Sequence, residues 1–569
     1  METPFGPIPD RYVVGMPMAE RHEYLTARLP RRRVLRGALV GVGALAAGPI
    51  LWSRPGLAAE PPAGLHIAFG NNPQREVVVS WLTPGPVEAP ALTLGQGGSF
   101  ASPVVAESRT VAGTQSVYHH VRLGSLEPGT AYQYKVGHLG AESEVSTFTT
   151  APTGPAAFRF TAFGDQGISA NAQAITNQVV AAAPAFHFQV GDICYAYGSG
   201  TGEAGPTTQA TWDSWFTMTS AVARQSPWMT TVGNHEMESG YGPQGYDGYL
   251  SRFTLPSNGP ATAPVVYSFR YGNVAILSLD ANDVSNEIQH NTGYTGGAQD
   301  EWLAATLGAL RSDPSIDFVV AGFHHCAYCT NPVHSSDGGV RDSWQQSFDD
   351  HAVDLVINGH NHCYERTHPL KGGQPTETVA SGGTVEPATH GTTYVTAGGG
   401  GQTAYTFPAL PAGYVTQPGG IREPELAVPW SATRDDAYSF LAIDVSPPDA
   451  SGSTTMTVHA VKADGSEIET FRLARVRPLP AAIPPPAGGT TGETMNTAPA
   501  GTDPPAAQTA ATTTTTGVAS SSSGAAPAST LPATGGQPGS GAGIALIGAA
   551  AAVGAAATVA VRTSRSRDT

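Results

Sequence analysis

The sequence predicts two folded domains in series, an all-β sandwich over residues 60–152 and a larger α/β domain over residues 156–475. Short strand-like runs separated by Gly, Pro and Asn turns predict the sandwich. Apolar runs that alternate with helical patterns, and that end in Asp, Asn or His with Gly nearby, predict the α/β domain. Beyond Pro478 the composition shifts to Pro, Ala, Thr, Gly and Ser, with too little apolar surface to fold. At 569 residues the chain has room for both domains, a leader and a tail. Its 29 Lys and Arg against 45 Asp and Glu give a net charge of −16, so no nucleic-acid binding is expected beyond a possible substrate.

Residues 1–59 read as an export signal. Arg31-Arg32-Arg33-Val34-Leu35-Arg36 precedes the small and apolar run Gly37 to Trp52, and small residues follow at Gly56, Ala58 and Ala59. The adjacent arginines resemble a twin-arginine signal, with cleavage expected near Ala59. The apolar core is shorter than the ~20 residues a spanning helix needs, which counts against an uncleaved anchor.

In the sandwich, strands are expected at residues 65–69, 77–82, 91–94, 117–123, 132–136 and 145–148. Leu126-Glu127-Pro128-Gly129-Thr130-Ala131-Tyr132 resembles the turn before a late strand of fibronectin type III domains. No catalytic cluster falls in this region. A packing domain is expected, with a shield or binding surface beside the active site as the alternative.

The α/β domain carries the chemistry. Phe158 to Phe163 runs into Gly164-Asp165-Gln166-Gly167, and Ala185 to Val190 runs into Gly191-Asp192-Ile193-Cys194-Tyr195. Trp228 to Val232 runs into Gly233-Asn234-His235-Glu236. Phe318 to Phe323 ends at His324-His325, and Val353 to Asn358 ends at Gly359-His360-Asn361-His362. Such endings deliver ligands to the carboxyl edge of a sheet, where open α/β folds bind their substrates. Carboxylates, a carboxamide and imidazoles together suit iron, zinc or manganese better than all-oxygen ions. They suffice for two ions with Asp192 as a bridge, and a metal pair can polarise a phosphoryl group, supply hydroxide and neutralise a leaving oxygen.

Between these blocks, Ala170 to Ala182 is expected as a helix packed through Ile175, Val179 and Val180. The Gly- and Tyr-rich stretch Tyr241 to Tyr249 is expected as a loop over the site. Tyr267 to Tyr271 and Val274 to Asp280 predict a hairpin, and Gln299 to Arg311 a helix with Trp302, Leu303, Leu307 and Leu310 on its core face. Tyr394 to Thr396 leads into a glycine loop, Gly398 to Gly401, suited to close backbone approach. Phe440 to Val445, Met456 to Val461 and Ile468 to Leu473 are expected to complete the second of two mixed sheets with helices outside. Of the four cysteines, Cys326 and Cys329 could close a small loop as a disulfide; four buried thiols are the alternative.

The five ordered blocks resemble those of the metallophosphoesterases, and Tyr195, three residues after Asp192, resembles the purple acid phosphatase branch. In many members of that branch a fibronectin type III-like domain precedes the catalytic one. The resemblance implies a four-layer αββα domain in which Asp165, Asp192, Tyr195 and His362 hold Fe³⁺. It implies that Asp192, Asn234, His324 and His360 hold a divalent Zn, Fe or Mn ion, and that His235 and His334 face the phosphate as catalytic residues. Where the family's fourth block has Val three residues before its His, this chain has Ala321. His324 is preferred as the ligand because His334 follows ten residues later, and His325 remains the alternative. The implied activity is hydrolysis of phosphate monoesters by a metal-bound hydroxide. A phosphodiesterase on the same metals, or a surface adhesin with a decayed phosphatase domain, are the alternatives.

Residues 478–530 read as an extended linker. Residues 531–569 begin with Leu531-Pro532-Ala533-Thr534-Gly535, continue through an apolar stretch from Gly541 to Val561 and end with Arg562, Arg565 and Arg567. This order resembles a Gram-positive cell-wall sorting signal, which implies attachment to peptidoglycan by sortase, cleavage after Thr534 and membrane contact only through the signal's own helix.

Overall fold

The computed structural model describes residues 60–477, except 198–207, 239–241, 289–290, 335, 408–412, 418–420 and 426–427, together with two short strands, Glu2–Thr3 and Gly6–Pro7. The rest of the export signal, the linker and the sorting signal lie outside the described residues. Among the described residues no helix is long and apolar enough to cross a membrane.

Two antiparallel sheets form the N-terminal sandwich. In one, Ala63–Phe69, Val77–Thr83, Val117–Leu123 and Glu107–Thr110 lie side by side. In the other, Ala131–His138 pairs with Ala91–Gln96 and with Ser146–Thr149. Alternation explains the second sheet: Tyr132, Tyr134, Val136 and His138 point inward while the residues between them are more exposed. The strand Val77–Thr83 is buried along its whole length because the catalytic domain covers its sheet. Phe69 sits 5.9 Å from the Tyr271 ring and 6.0 Å from Phe269. His66 stacks on Phe216 at 4.4 Å, and Asp213 accepts hydrogen bonds from Ser116 (2.6 Å) and Tyr118 (2.7 Å). The sandwich is thus cemented to the catalytic domain by both apolar and polar contacts.

The catalytic domain has two seven-stranded mixed sheets packed face to face. The first runs Trp228–Thr231, Phe186–Val190, Phe158–Phe163, Ser439–Val445, Ser453–Lys462, Glu467–Val476 and Thr384–Val385. The second runs Tyr267–Tyr271, Val274–Ser278, Phe318–Gly322, Leu355–Asn358, Thr393–Ala397, Tyr364–Thr367 and Ser431–Asp435. Phe160, Phe188, Ile276, Val320, Ile357, Leu441, Val458 and Phe471 fill the space between them. Residues of opposite parity, such as Phe163, Leu277, Val319 and Val356, meet the outer helices, giving the αββα order. The late strands near residues 440–473 do complete one of the two mixed sheets. They extend the sheet begun by Phe158–Phe163, because Phe158–Phe163 pairs antiparallel with Ser439–Val445.

Helix Ala170–Ala182 starts at Ser169, whose side chain accepts the Ala172 N–H. Its buried face is Ala172, Ile175, Thr176 and Val179, whereas the expected core residue Val180 is 42% exposed, since one further residue turns it about 100° away. Helix Ala298–Ser312 buries Leu303 and Leu307 and leaves Trp302 and Leu310 partly covered. Gly242–Tyr246 and Asp247–Arg252 are helical turns rather than a loop. Tyr246 and Tyr249 are fully buried there, donating hydrogen bonds to Asp280 (2.7 Å) and to the Thr230 carbonyl (3.0 Å), so this stretch is core. The cysteines form no disulfide: all four are buried free thiols, and Cys326 donates to the Gly359 carbonyl at 2.8 Å.

Candidate active site

Strands that are neighbours in each sheet bring the predicted ligands to one edge. Asp165, Asp192 and Asn234 follow the three adjacent parallel strands Phe158–Phe163, Phe186–Val190 and Trp228–Thr231. His324 and His360 follow the adjacent parallel strands Phe318–Gly322 and Leu355–Asn358 of the other sheet. The chain turns abruptly at each end. Among the described residues eight non-glycine residues have positive φ, and four of them are Asp165, Asp192, Tyr195 and His360. Such conformations cost free energy and cluster where geometry is imposed for function. Gly233 leaves room for the Asp192 carboxylate, and Gly191, at φ 81°, for the His324 ring, which would stand 2.7 Å from a Cβ there.

Two groups of ligand atoms result. In the first, the Tyr195 hydroxyl lies 3.1 Å from Asp165 Oδ1 and 3.1 Å from His362 Nε2, and His362 Nε2 is 3.4 Å from Asp165 Oδ1. The Thr403 carbonyl, 2.7 Å from His362 Nδ1, fixes that ring. In the second, His324 Nε2 lies 3.2 Å from both Asp192 Oδ2 and His360 Nδ1. The Val190 carbonyl, 2.9 Å from His324 Nδ1, turns Nε2 inward. His324 Nε2 is 3.9 Å from Asp165 Oδ1, so the groups adjoin. His325 points elsewhere, with Nε2 3.2 Å from Glu287 Oε2. Asn234 is buried in the turn Asn234–Glu236.

The two proposed catalytic histidines flank the groups. The His235 ring lies 4.4 Å from that of Tyr195, its Nδ1 is tied to the Tyr197 carbonyl at 2.7 Å, and its Nε2 is 3.8 Å from Asp192 Oδ2. The His334 ring lies 4.0 Å from that of His360. Their side chains are 17% and 24% exposed, unlike the buried His324.

A model of the purple acid phosphatase N-terminal domain matches residues 62–150, and a model of the calcineurin-like phosphoesterases matches residues 158–364. The chain belongs to the purple acid phosphatase-like metallophosphoesterases. An uncharacterized protein of Mycobacterium tuberculosis is 37% identical over 495 residues, covering 76% of this chain and 92% of the relative. A phosphoenolpyruvate phosphatase of Allium cepa is 28% identical over 290 residues, 49% of this chain, and the chain spans 56% of that relative. The fold is shared with a purple acid phosphatase from yellow lupin seeds: TM-score 0.59, 20% identity, 73% of this chain and 75% of that one.

The electrostatics of this metallophosphoesterase suit cations. Burial pulls the His324 pKa down, yet Asp192 and Asp165 outweigh it and push it up to about 10. Burial opposes ionisation of Asp192 too, but His324 and His235 hold its carboxyl well below the usual range. Without an ion the site therefore borrows a proton to balance its carboxylates; a metal ion would supply that charge directly. Asp192, His324 and His360 each offer a ligand atom, all within 4.8 Å of one another, with the mixed oxygen and nitrogen donors that first-row metals take. Burial, then Asp165 and Asp192, push the Tyr195 phenol well above its normal pKa, so only a strongly polarising ion would take it as phenolate.

Several contributors carry no motif of their own. Glu236 accepts the backbone N–H groups of Asp192 (2.8 Å), Ile193 (2.8 Å) and Gly233 (2.7 Å). Tyr405 stacks on His362 at 4.1 Å. Gly398, from the glycine loop, passes so close that a Cβ there would meet the Asn361 carbonyl and stand 2.8 Å from Asp165 Oδ2. Glu287 approaches three histidines at once, His325, His334 and His360.

Proposed function

We propose that this metallophosphoesterase hydrolyses phosphate monoesters at a binuclear centre, outside the cell and attached to the wall of a Gram-positive bacterium. The observation that carries the chemistry is the convergence of Asp165, Tyr195 and His362 beside Asp192, His324 and His360 at the edge of both sheets. Asp165, Tyr195, His362 and Asp192 would hold Fe³⁺. Asp192, Asn234, His324 and His360 would hold Zn, Fe or Mn. When bound, the pair supplies Lewis acidity and a nucleophile from water at neutral or acid pH.

The chain's own groups do the rest. Asp192 and Asp165 keep the two imidazole sets in place through the contacts above. His235 presents Nε2 to the cleft because the Tyr197 carbonyl occupies its Nδ1. From that side it donates a hydrogen bond to the phosphoryl oxygens as their charge grows, or a proton to the leaving oxygen. His334, next to His360, takes the other flank. The location rests on the twin-arginine-like and Leu531-Pro532-Ala533-Thr534-Gly535 sequences.

The test is the ratio of hydrolysis rates on an aryl phosphate monoester and the matching diester, with metal-replete protein over a range of pH. A ratio strongly favouring the monoester supports the reading. One favouring the diester would keep the metals and replace the substrate class, and protein that takes up no metal would mean a binding module instead.

A further inference from the structure

Glu287 lies in the segment between the short turn Ala281–Asp283 and helix Ala298–Ser312, outside all five ligand-bearing blocks. Its Oε2 stands 2.6 Å from His360 Nε2 and 3.2 Å from His325 Nε2, and its Oε1 stands 3.7 Å from His334 Nδ1. Among these three imidazoles only His360 also faces the divalent group, through Nδ1, which is 3.2 Å from His324 Nε2. A ring can offer Nδ1 as a lone pair to an ion only when its proton sits on Nε2, and the carboxylate is where that proton is received. His325 is fully buried, and neither of its ring nitrogens has a well-aligned hydrogen-bond partner. Its ring packs 4.3 Å from that of His360, and the Glu287 carboxylate is the acceptor within its reach.

We propose that Glu287 is a positioning residue for the divalent ion: it receives the His360 Nε2 proton, fixes Nδ1 toward Asp192 and His324, and so sets the affinity of that half of the centre. The inference rests on the binuclear reading above. It assigns no contact between Glu287 and substrate. The ferric half does not depend on it, because His362, Tyr195 and Asp165 are held by one another and by Thr403.

The experiment is a chelator competition for Zn²⁺ and Mn²⁺ on the purified full chain, comparing wild type with Glu287→Gln and Glu287→Asp, with iron content and thermal midpoint measured in parallel. Outer partners of metal-bound histidines typically contribute about 10- to 100-fold in affinity. A rise of that order in the divalent dissociation constant of Glu287→Gln is expected, with iron retained and the midpoint of the metal-free form unchanged. Glu287→Asp, which keeps the charge, should recover part of the affinity. Equal divalent affinity in wild type and Glu287→Gln overturns the proposal, as does loss of iron and divalent ion in equal measure. A wild type that takes up no divalent ion is a separate outcome that sinks the binuclear reading and this inference together.

Discussion

Glu236 holds the Asp192 turn from behind, its carboxylate accepting the Asp192 N–H at 2.8 Å while the Asp192 side chain faces His324 at 3.2 Å. The same carboxylate also takes the N–H groups of Ile193 and Gly233. Three buried donors thus converge on the two oxygens of one carboxyl group, whose pKa burial and the nearby Asp192 charge push up to about 8. In Glu236→Gln an amide NH₂ replaces one oxygen and faces a backbone donor, so at least one N–H loses its partner. An unpaired buried donor costs about 1–3 kcal/mol. The variant should unfold at lower denaturant by that amount and bind divalent ions more weakly; unchanged unfolding and binding would mean that the Asp192 turn holds itself.

His235 is poised for either of two roles. Its backbone N–H donates to Asp192 Oδ1 at 3.0 Å, while its ring Nε2 stands 3.8 Å from Oδ2. Only the ring is lost in His235→Asn, so the backbone support of Asp192 survives. Turnover should fall by roughly 10²- to 10⁴-fold, the range for a general acid, with both metals retained. Metal analysis beside kcat separates the roles: depletion of both ions would make the ring a support for Asp192.

The candidate site was legible in the sequence because its proposed ligands sit at strand ends, where an apolar run followed by Gly and a polar residue is a local pattern. Asp165, Asp192, Asn234 and His360 could be named from that pattern alone, whereas the choice of His324 over His325 rests on the family resemblance and the spacing to His334. Glu287 could not, because its partner His360 is 73 residues away and nothing periodic or glycine-linked surrounds it. Glu236 was visible as a residue yet not as a support, since its partners are backbone N–H groups. Tyr246 and Tyr249 misled for another reason: Gly and Tyr in alternation have the composition of a loop, and only their hydrogen bonds to Asp280 and Thr230 make them core. The sheet joined by Ser439–Val445 was equally hidden, because a strand's partner depends on contacts more than 270 residues away.

Tyr195 makes the identity of the first metal testable by eye. A phenolate on Fe³⁺ absorbs visible light, and Tyr195 is tied to Asp165 and His362 in the first group. Iron-loaded wild type should be coloured, whereas Tyr195→Phe should lose the band and hold ferric iron less well. Phe keeps the ring against His235, so packing is spared. Colourless wild type containing stoichiometric iron would contradict the assignment.

Acid should loosen the joint between the two domains. His66 and His120 belong to the sandwich but reach the Arg252 and Ser251 carbonyls of the catalytic domain at 3.3 and 3.1 Å. Burial pushes His66 down to about 4. Burial, with Arg109 adding to it, pushes His120 down to about 3. In the unfolded chain both titrate near about 6.5. Between these values the unfolded state binds more protons than the folded one, so stability falls as pH falls. Above about 6.5 neither state is protonated and their contribution is flat. Each group then adds a slope approaching about 1.4 kcal/mol per pH unit from 6.5 down toward its folded value. His120→Gln removes one titration and keeps a donor for the Ser251 carbonyl. Its unfolding free energy, measured from pH 8 to pH 4, should therefore decline less steeply than that of wild type below pH 6.5 and run parallel above it. Parallel curves throughout would mean that His120 is not held neutral at the joint.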